Sequence, residues 1–287
     1  MTPDAVGRRR LLGMGLLGTG LVGTGLLGTG LLGTGLLGSV VIGGCSSDDE
    51  PSESDASSAD DSEATADGER PLTLAEADLL AACLFKNYDV GGATFELSAT
   101  FTISGDTLAL AGSIDWKQHI GSATVTATGA EAGVTGVFWA EQEVLESRVG
   151  LDRVLSDAGF PAGQWVSRRP DPTGRQIDGL LGLVLGLASE QRDNPQLVQQ
   201  TETALFVRTD TVRDQPVSVM RYDGSEFWLD ATGTILRYNA TTSDGNRPVT
   251  IDFLTLAVQE VSPPQANTVI PYENVSVAYD ALMLAPG

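Results

Sequence analysis

Lysine, histidine and cysteine are nearly missing from this chain, and each shortage removes a class of function. Lys86 and Lys117 are the only lysines, so the 17 basic residues are almost all arginine, against 38 acidic residues and a formal net charge of −21. A surface this negative repels phosphate backbones, which excludes nucleic acid as a partner. His119 is the one histidine, and Cys45 and Cys83 are the two cysteines. That inventory supplies neither a disulfide framework nor a zinc or haem site. The sequence also lacks a Gly-x-Ser-x-Gly elbow, a Walker loop and a His-Glu-x-x-His helix. The expectation is a protein that is not an enzyme and needs no cofactor.

What is present begins with an address. Arg8-Arg9-Arg10-Leu11-Leu12 resembles the twin-arginine export motif, although the same residues also suit the general secretory route. A Leu-Leu-Gly-Thr-Gly unit then recurs at residues 16–20, 26–30 and 31–35. Its accidental Gly13-x-Gly15-x-x-Gly18 match to a dinucleotide fingerprint follows arginines instead of a strand, so it binds no nucleotide. The tract ends in Ile42-Gly43-Gly44-Cys45, which is similar to the bacterial lipobox: an aliphatic residue, two small residues that fit a peptidase groove, and a thiol that takes up diacylglycerol. The expectation is cleavage before Cys45 and a membrane anchor made by acyl chains on it. Residues 11–44 are also long enough to span a bilayer, so an uncleaved transmembrane anchor is the competing reading. Either one places the remainder outside the cytoplasmic membrane, in the cell envelope.

Three segments follow: a signal at 1–44, a linker at 45–70 and a folded domain at 71–287. The linker carries ten acidic residues and no large apolar one, so it has nothing to bury. The domain opens with a capping box, Thr73-x-x-Glu76, and an apolar helical period through Leu74, Ala77, Leu80, Ala81, Leu84 and Phe85. Cys83, inside that helix, reads as a small buried apolar residue. After Gly91-Gly92 the period drops to two. Phe95, Leu97, Ala99, Phe101 and Ile103 alternate with polar residues, Ser104-Gly105-Asp106 turns, and Leu108, Leu110 and Ile114 return as the second strand of a hairpin. Residues 123–128 and 134–139 read as two more strands, and residues 165–166 as a short one. Residues 177–188 are apolar on every side, which describes a buried helix, the lid or wall of an apolar cavity, or a membrane-dipping segment; Gly182 and Gly186 would permit close backbone approach. Residues 191–200 read as a polar loop. Successive hairpins from Ala204 to Phe253 argue for one antiparallel sheet, and residues 274–279 read as an edge strand. Among the charges, Arg168-Arg169 is a candidate grip on an anionic headgroup. Asp115, Glu141, Glu143 and Glu146 are candidate acid–base partners whose ordinary reading is a solvated face.

The order of these elements resembles the LppX/LprAFG family of actinobacterial envelope lipoproteins, which share a lipoprotein-carrier fold. The resemblance spans residues 72–271. It is carried by the hairpin at 95–114, by Phe227-Trp228-Leu229-Asp230-x-x-Gly233-x-Ile235-Leu236-Arg237, and by Val249-Thr250-Ile251-Asp252-Phe253 leading to Ser262-Pro263-Pro264. It implies an α+β fold, an open antiparallel half-barrel wrapped over a few helices, with a cavity between them for a lipid or hydrophobic small molecule. An envelope transporter is the implied protein partner. The chain departs from the family at 137–166, where no strand pair is legible. Independently of the family, a lipid exposes its chains to water at about 0.8 kcal/mol per CH₂, so a carrier must offer a dry surface of similar area. The candidate lining is Phe95, Leu97, Phe101, Leu108, Leu110, Leu180, Leu183, Val184 and Leu187. The same residues would serve equally as a plain core, which leaves a ligand-free scaffold or adhesion lipoprotein as the alternative.

Overall fold

The fold is described from a computed structural model, for residues 68–101, 104–161, 164–241 and 248–284. The signal segment, Cys45 and residues 46–67 lie outside the described residues.

The chain enters through β1 (Arg70–Pro71) and turns at once into α1 (Leu74–Val90). Thr73 starts this helix by accepting from the Glu76 N–H, while the Glu76 carboxylate accepts from the Thr73 N–H at 2.8 Å, so two of the donors that a helix start leaves unpaired are satisfied reciprocally. Arg70 clamps the same carboxylate at 2.6 Å. Gly91, with φ of 97°, ends the helix in the left-handed conformation that a side chain resists.

The strands that follow are β2 (Gly92–Phe101), β3 (Asp106–Asp115), β4 (Ile120–Ala127), β5 (Val134–Ala140), β6 (Glu143–Arg148) and, after α2 (Leu151–Asp157), β7 (Trp165–Arg168). Helices α3 (Gln176–Gly186) and α4 (Pro195–Gln200) lead to β8 (Leu205–Val212), β9 (Gln215–Tyr222), β10 (Ser225–Leu229), β11 (Ile235–Thr241) and β12 (Pro248–Leu256). The chain closes with β13 (Val269–Pro271) and α5 (Ser276–Leu284). All thirteen strands form one open sheet in the order β1-β8-β9-β10-β11-β12-β2-β3-β4-β5-β6-β7-β13. Every pairing is antiparallel except β13 on β7. The α+β architecture with an open antiparallel sheet is the expected one. Its terminal strands, β1 and β13, have two and three residues, and β1 covers only Leu205 and Phe206 of β8.

The period-two pattern of β2 is realised directly. Phe95, Leu97, Ala99 and Phe101 are buried on the inward face, and Glu96, Ser98 and Thr100 face out. The core sits where that face meets α1 and α3. At the far end of the sheet the β8–β9 hairpin folds back over the outer face. Its turn residues Arg213 and Asp214 have φ of 49° and 63°, and the Arg213 guanidinium donates to the Phe253 carbonyl at 2.5 Å. Val212, Val217, Val219, Trp228 and Leu236 make a small second core beneath it.

Three expectations need correction. Residues 137–166 do contain a strand pair, since β6 pairs with β5 and β7. Its signal is hidden because Glu146 and Arg148, both charged, occupy buried positions where the pattern calls for apolar residues. The loop at 191–200 ends in α4, started by Asn194 accepting from the Gln196 N–H and by Pro195 in its first turn. Residues 274–279 begin a helix instead of an edge strand. Val275, Tyr279 and Leu282 share the side that packs on Leu151, Leu155 and Val166, while Val277, which a strand would have turned the same way as Val275 and Tyr279, is 86% exposed.

Candidate functional site

The nine candidate lining residues meet in one place. Phe95, Leu97 and Phe101 from β2, Leu108 and Leu110 from β3, and Leu180, Val184 and Leu187 from α3 and its end are all buried in a single apolar cluster, with Leu183 packed half-buried against it. Helix α3 has no one-sided pattern, and its position explains why: Leu181 and Ile177 are buried as well, and Leu183 and Leu185 are half-covered. Carbonyls at its C-terminal end are also held from outside the helix. The Trp116 indole donates to Val184 at 3.1 Å, and the Asn87 amide donates to Leu187 at 2.8 Å. Gly182 does not serve close approach, since a Cβ there would meet nothing within 4 Å.

These side chains pack against one another. A trough of about 300 Å³ lies instead on the outer face, over Ala109 and Ala111 and between Glu96, Ser98, Asp252, Thr250, Thr124 and Thr126, with Leu97 and Leu110 bordering it. The two faces of β2 and β3 are thus chemically distinct: large and apolar inward, small and polar outward.

Beside the apolar cluster lies a buried ionic one that sequence reasoning missed. Glu146, on β6 and fully buried, accepts from Arg175 at 2.6 Å, Arg168 at 3.1 Å, Arg148 at 3.2 Å and the Tyr279 hydroxyl at 2.5 Å. Arg168 forks onto Asp178 at 2.5 and 2.7 Å, and Arg175 reaches Glu131 at 2.5 Å. Three arginines therefore face Glu131, Glu146 and Asp178, and the formal charges cancel. Burial alone would raise the Glu146 carboxyl, but the Arg175 and Arg168 guanidiniums outweigh it and hold it below the ordinary carboxylate range. Tyr279 is pushed up, by burial and then by the adjacent Glu146 charge.

This arrangement settles the charged candidates. Arg168 is consumed by Asp178 and Glu146 and does not offer itself to a headgroup, while Arg169 beside it is exposed. The four carboxylates do not converge: Glu143 accepts from Ser167, Glu141 sits 3.4 Å from His119, and Asp115 accepts from Gln118. A carboxylate gripped by three arginines is a poor proton shuttle near neutral pH, so Glu146 organises structure. Cys83 is fully buried, and burial pushes its thiol up to about 12. Among the described residues no group of three or more His, Cys, Asp and Glu side chains could hold a metal ion, and no helix is long and apolar enough to cross a membrane.

No protein-family model and no curated protein matches the sequence. Solved structures with some likeness include LprF from Mycobacterium bovis, at 10% identity over 68% of this chain and 98% of that one, with a TM-score of 0.38. An uncharacterized conserved protein from Thermus thermophilus aligns at 11% identity over 66% of this chain and 94% of its own, with a TM-score of 0.34. An outer membrane lipoprotein-sorting protein domain from Vibrio parahaemolyticus aligns at 13% identity over 71% and 99%, with a TM-score of 0.26.

Proposed function

We propose that this chain is an exported lipoprotein, acylated on Cys45, that binds a lipid or another hydrophobic ligand between its sheet and α3, without catalysis. The observation that carries the reading is the convergence of Phe95, Leu97, Phe101, Leu108, Leu110, Leu180, Leu183, Val184 and Leu187 on one apolar cluster between the sheet and α3. Helix α3 is tied down by a few identifiable bonds at its two ends, so it is the element whose displacement would open the inward face. An acyl chain transferred from water to that face gains about 0.8 kcal/mol per CH₂. An envelope transporter that delivers or receives the ligand is the proposed partner.

The mutual packing of the same nine residues favours a second reading, a ligand-free scaffold or adhesion lipoprotein with a filled core. Native mass spectrometry of the protein purified from its own envelope, followed by organic extraction, separates the two. Co-purified lipid near one per chain is expected for the carrier, and repeated absence after exposure to envelope lipid selects the scaffold. The anchor has its own test. Cys45→Ser should release the chain from the membrane or stall its maturation; membrane retention at mature size would reject acylation.

A further inference from the structure

Across β2 to β5 the inward face changes character. Next to the large residues of β2, the inward positions on β3 and β4 include Gly112, Gly121 and Ala123, which are aligned in register: Gly112 lies opposite Ala123, and Gly121 opposite Trp139. A Cβ built on Gly121 would collide with the Trp139 indole, lying 2.6 Å from Cε2, so the ring rests directly on this bare backbone. Its edge continues to Phe95, with ring centroids 6.3 Å apart. One side chain, from β5, thus covers the bare backbone of Gly121 and reaches Phe95.

That side chain is also unsatisfied. Trp139 is 1% exposed, and its Nε1–H, carried by the same Cε2 that lies over Gly121, has no hydrogen-bond partner. The other two buried indoles differ: Trp116 donates to Val184 and Trp228 to Asp210. A buried donor left unmet is unfavourable and calls for an explanation. In its present position the indole fills space well and hydrogen-bonds badly.

We propose that Trp139 is a displaceable plug, and that an acyl chain takes its place over Gly121 and beside Phe95 when the indole turns away. This rests on the carrier reading above and adds to it a place for the chain and a residue that gates it. Turning out lets Nε1 reach water or a ligand oxygen, which offsets part of the lost packing. Gly121 is then explained as the floor of a slot, since a side chain there would fill it permanently, whereas Gly112 is required by the close approach of β4, a Cβ there lying 2.1 Å from the Ser122 carbonyl.

The test labels the four tryptophans of the exported full chain, carrying Cys45→Ser, with 5-fluorotryptophan, and assigns Trp139 through Trp139→Phe. The probe is 1-monooleoylglycerol, with bound fraction measured by native mass spectrometry. The Trp139 ¹⁹F signal is expected to move by more than its linewidth in proportion to bound probe. Trp139→Ala is expected to bind the probe at least about tenfold tighter, the gain when the open form is a tenth or less of the population. Should that variant fail to fold, Trp139→Phe, with a smaller ring and no N–H, is expected to bind tighter in the same direction. Bound probe with an unmoved Trp139 signal overturns the plug and leaves the carrier intact. Binding by the variants alone overturns displacement in the native chain, and binding by none overturns both readings.

Discussion

The Tyr279 hydroxyl donates to the Glu146 carboxylate at 2.5 Å, across 133 positions of sequence, and so fastens the C-terminal helix to β6, at the end of the sheet opposite the β8–β9 hairpin. Both partners are buried, and three arginines share the same carboxylate. Hydrogen bonds to a buried charge are stronger than neutral ones.

Tyr279→Phe removes that bond while keeping the ring and its edge-on contact with Tyr272. The expected loss is about 1.5–3 kcal/mol, read by urea unfolding, because the remaining donors still satisfy Glu146. No change in midpoint would mean that α5 is held by apolar packing alone.

Glu146→Gln should do more. It leaves Arg148, Arg168 and Arg175 facing one charge fewer inside the protein, and breaking such a buried network costs roughly 3–5 kcal/mol. The pH dependence has a defined sign. The folded-state carboxyl lies below its ordinary value of 4.5, so its contribution is fully present above that pH and is lost as pH falls through the lower folded value. Native stability should decline on acidification below 4.5, and the decline should be shallower in Glu146→Gln. Parallel pH profiles would show that other carboxylates dominate.

Gly121→Ala places a methyl group where the Trp139 ring lies. The backbone there needs no positive φ, so the penalty is steric: about 1–3 kcal/mol, with Trp139 fluorescence changed because the ring must shift. Unaltered emission and stability would mean that the ring is not seated on this glycine.

Leu110→Ala and Leu97→Ala probe whether the inward face is close-packed. Each side chain is fully buried, and truncation in a filled core costs roughly 2–5 kcal/mol. Thermal unfolding of ligand-free protein should show a loss in that range. A loss well below it would indicate that the site already holds space beside these side chains.

Cys83 should be inert. Its thiol is fully buried and pushed up to about 12, so iodoacetamide at a pH of about 8 should leave it unmodified until urea unfolds the chain. Native alkylation within minutes would show that α1 opens readily.

Much of the fold is legible in the sequence. Thr73 and Glu76 announce α1, the alternation from Phe95 to Ile114 announces the first hairpin, and the turn residues from Ala204 onward announce successive antiparallel strands. These signals are local: a cap is read by the next turn of helix, and a period of two is read by one strand. The apolar residues of the candidate site are legible for the same reason, because inward positions on strands must be apolar wherever the face is buried. Strand β6 is not legible, since Glu146 and Arg148 break its pattern and only make sense once Arg168, Arg175 and Tyr279 arrive from three other elements. Helix α5 reads as a strand because Val275, Val277 and Tyr279 fit a period of two, and packing on Leu155 and Val166 selects the helical one instead.

The sequence by itself determined the sign of the charge, the type of most elements and the apolar identity of the inward face, because each depends on composition or on neighbours within a turn or two. Tertiary structure decided where Glu146 finds its counter-charges, which glycine lies under Trp139, and that Arg168 is consumed by Asp178 and Glu146. Those are contacts between residues brought together from different elements of the fold, and no local period records them.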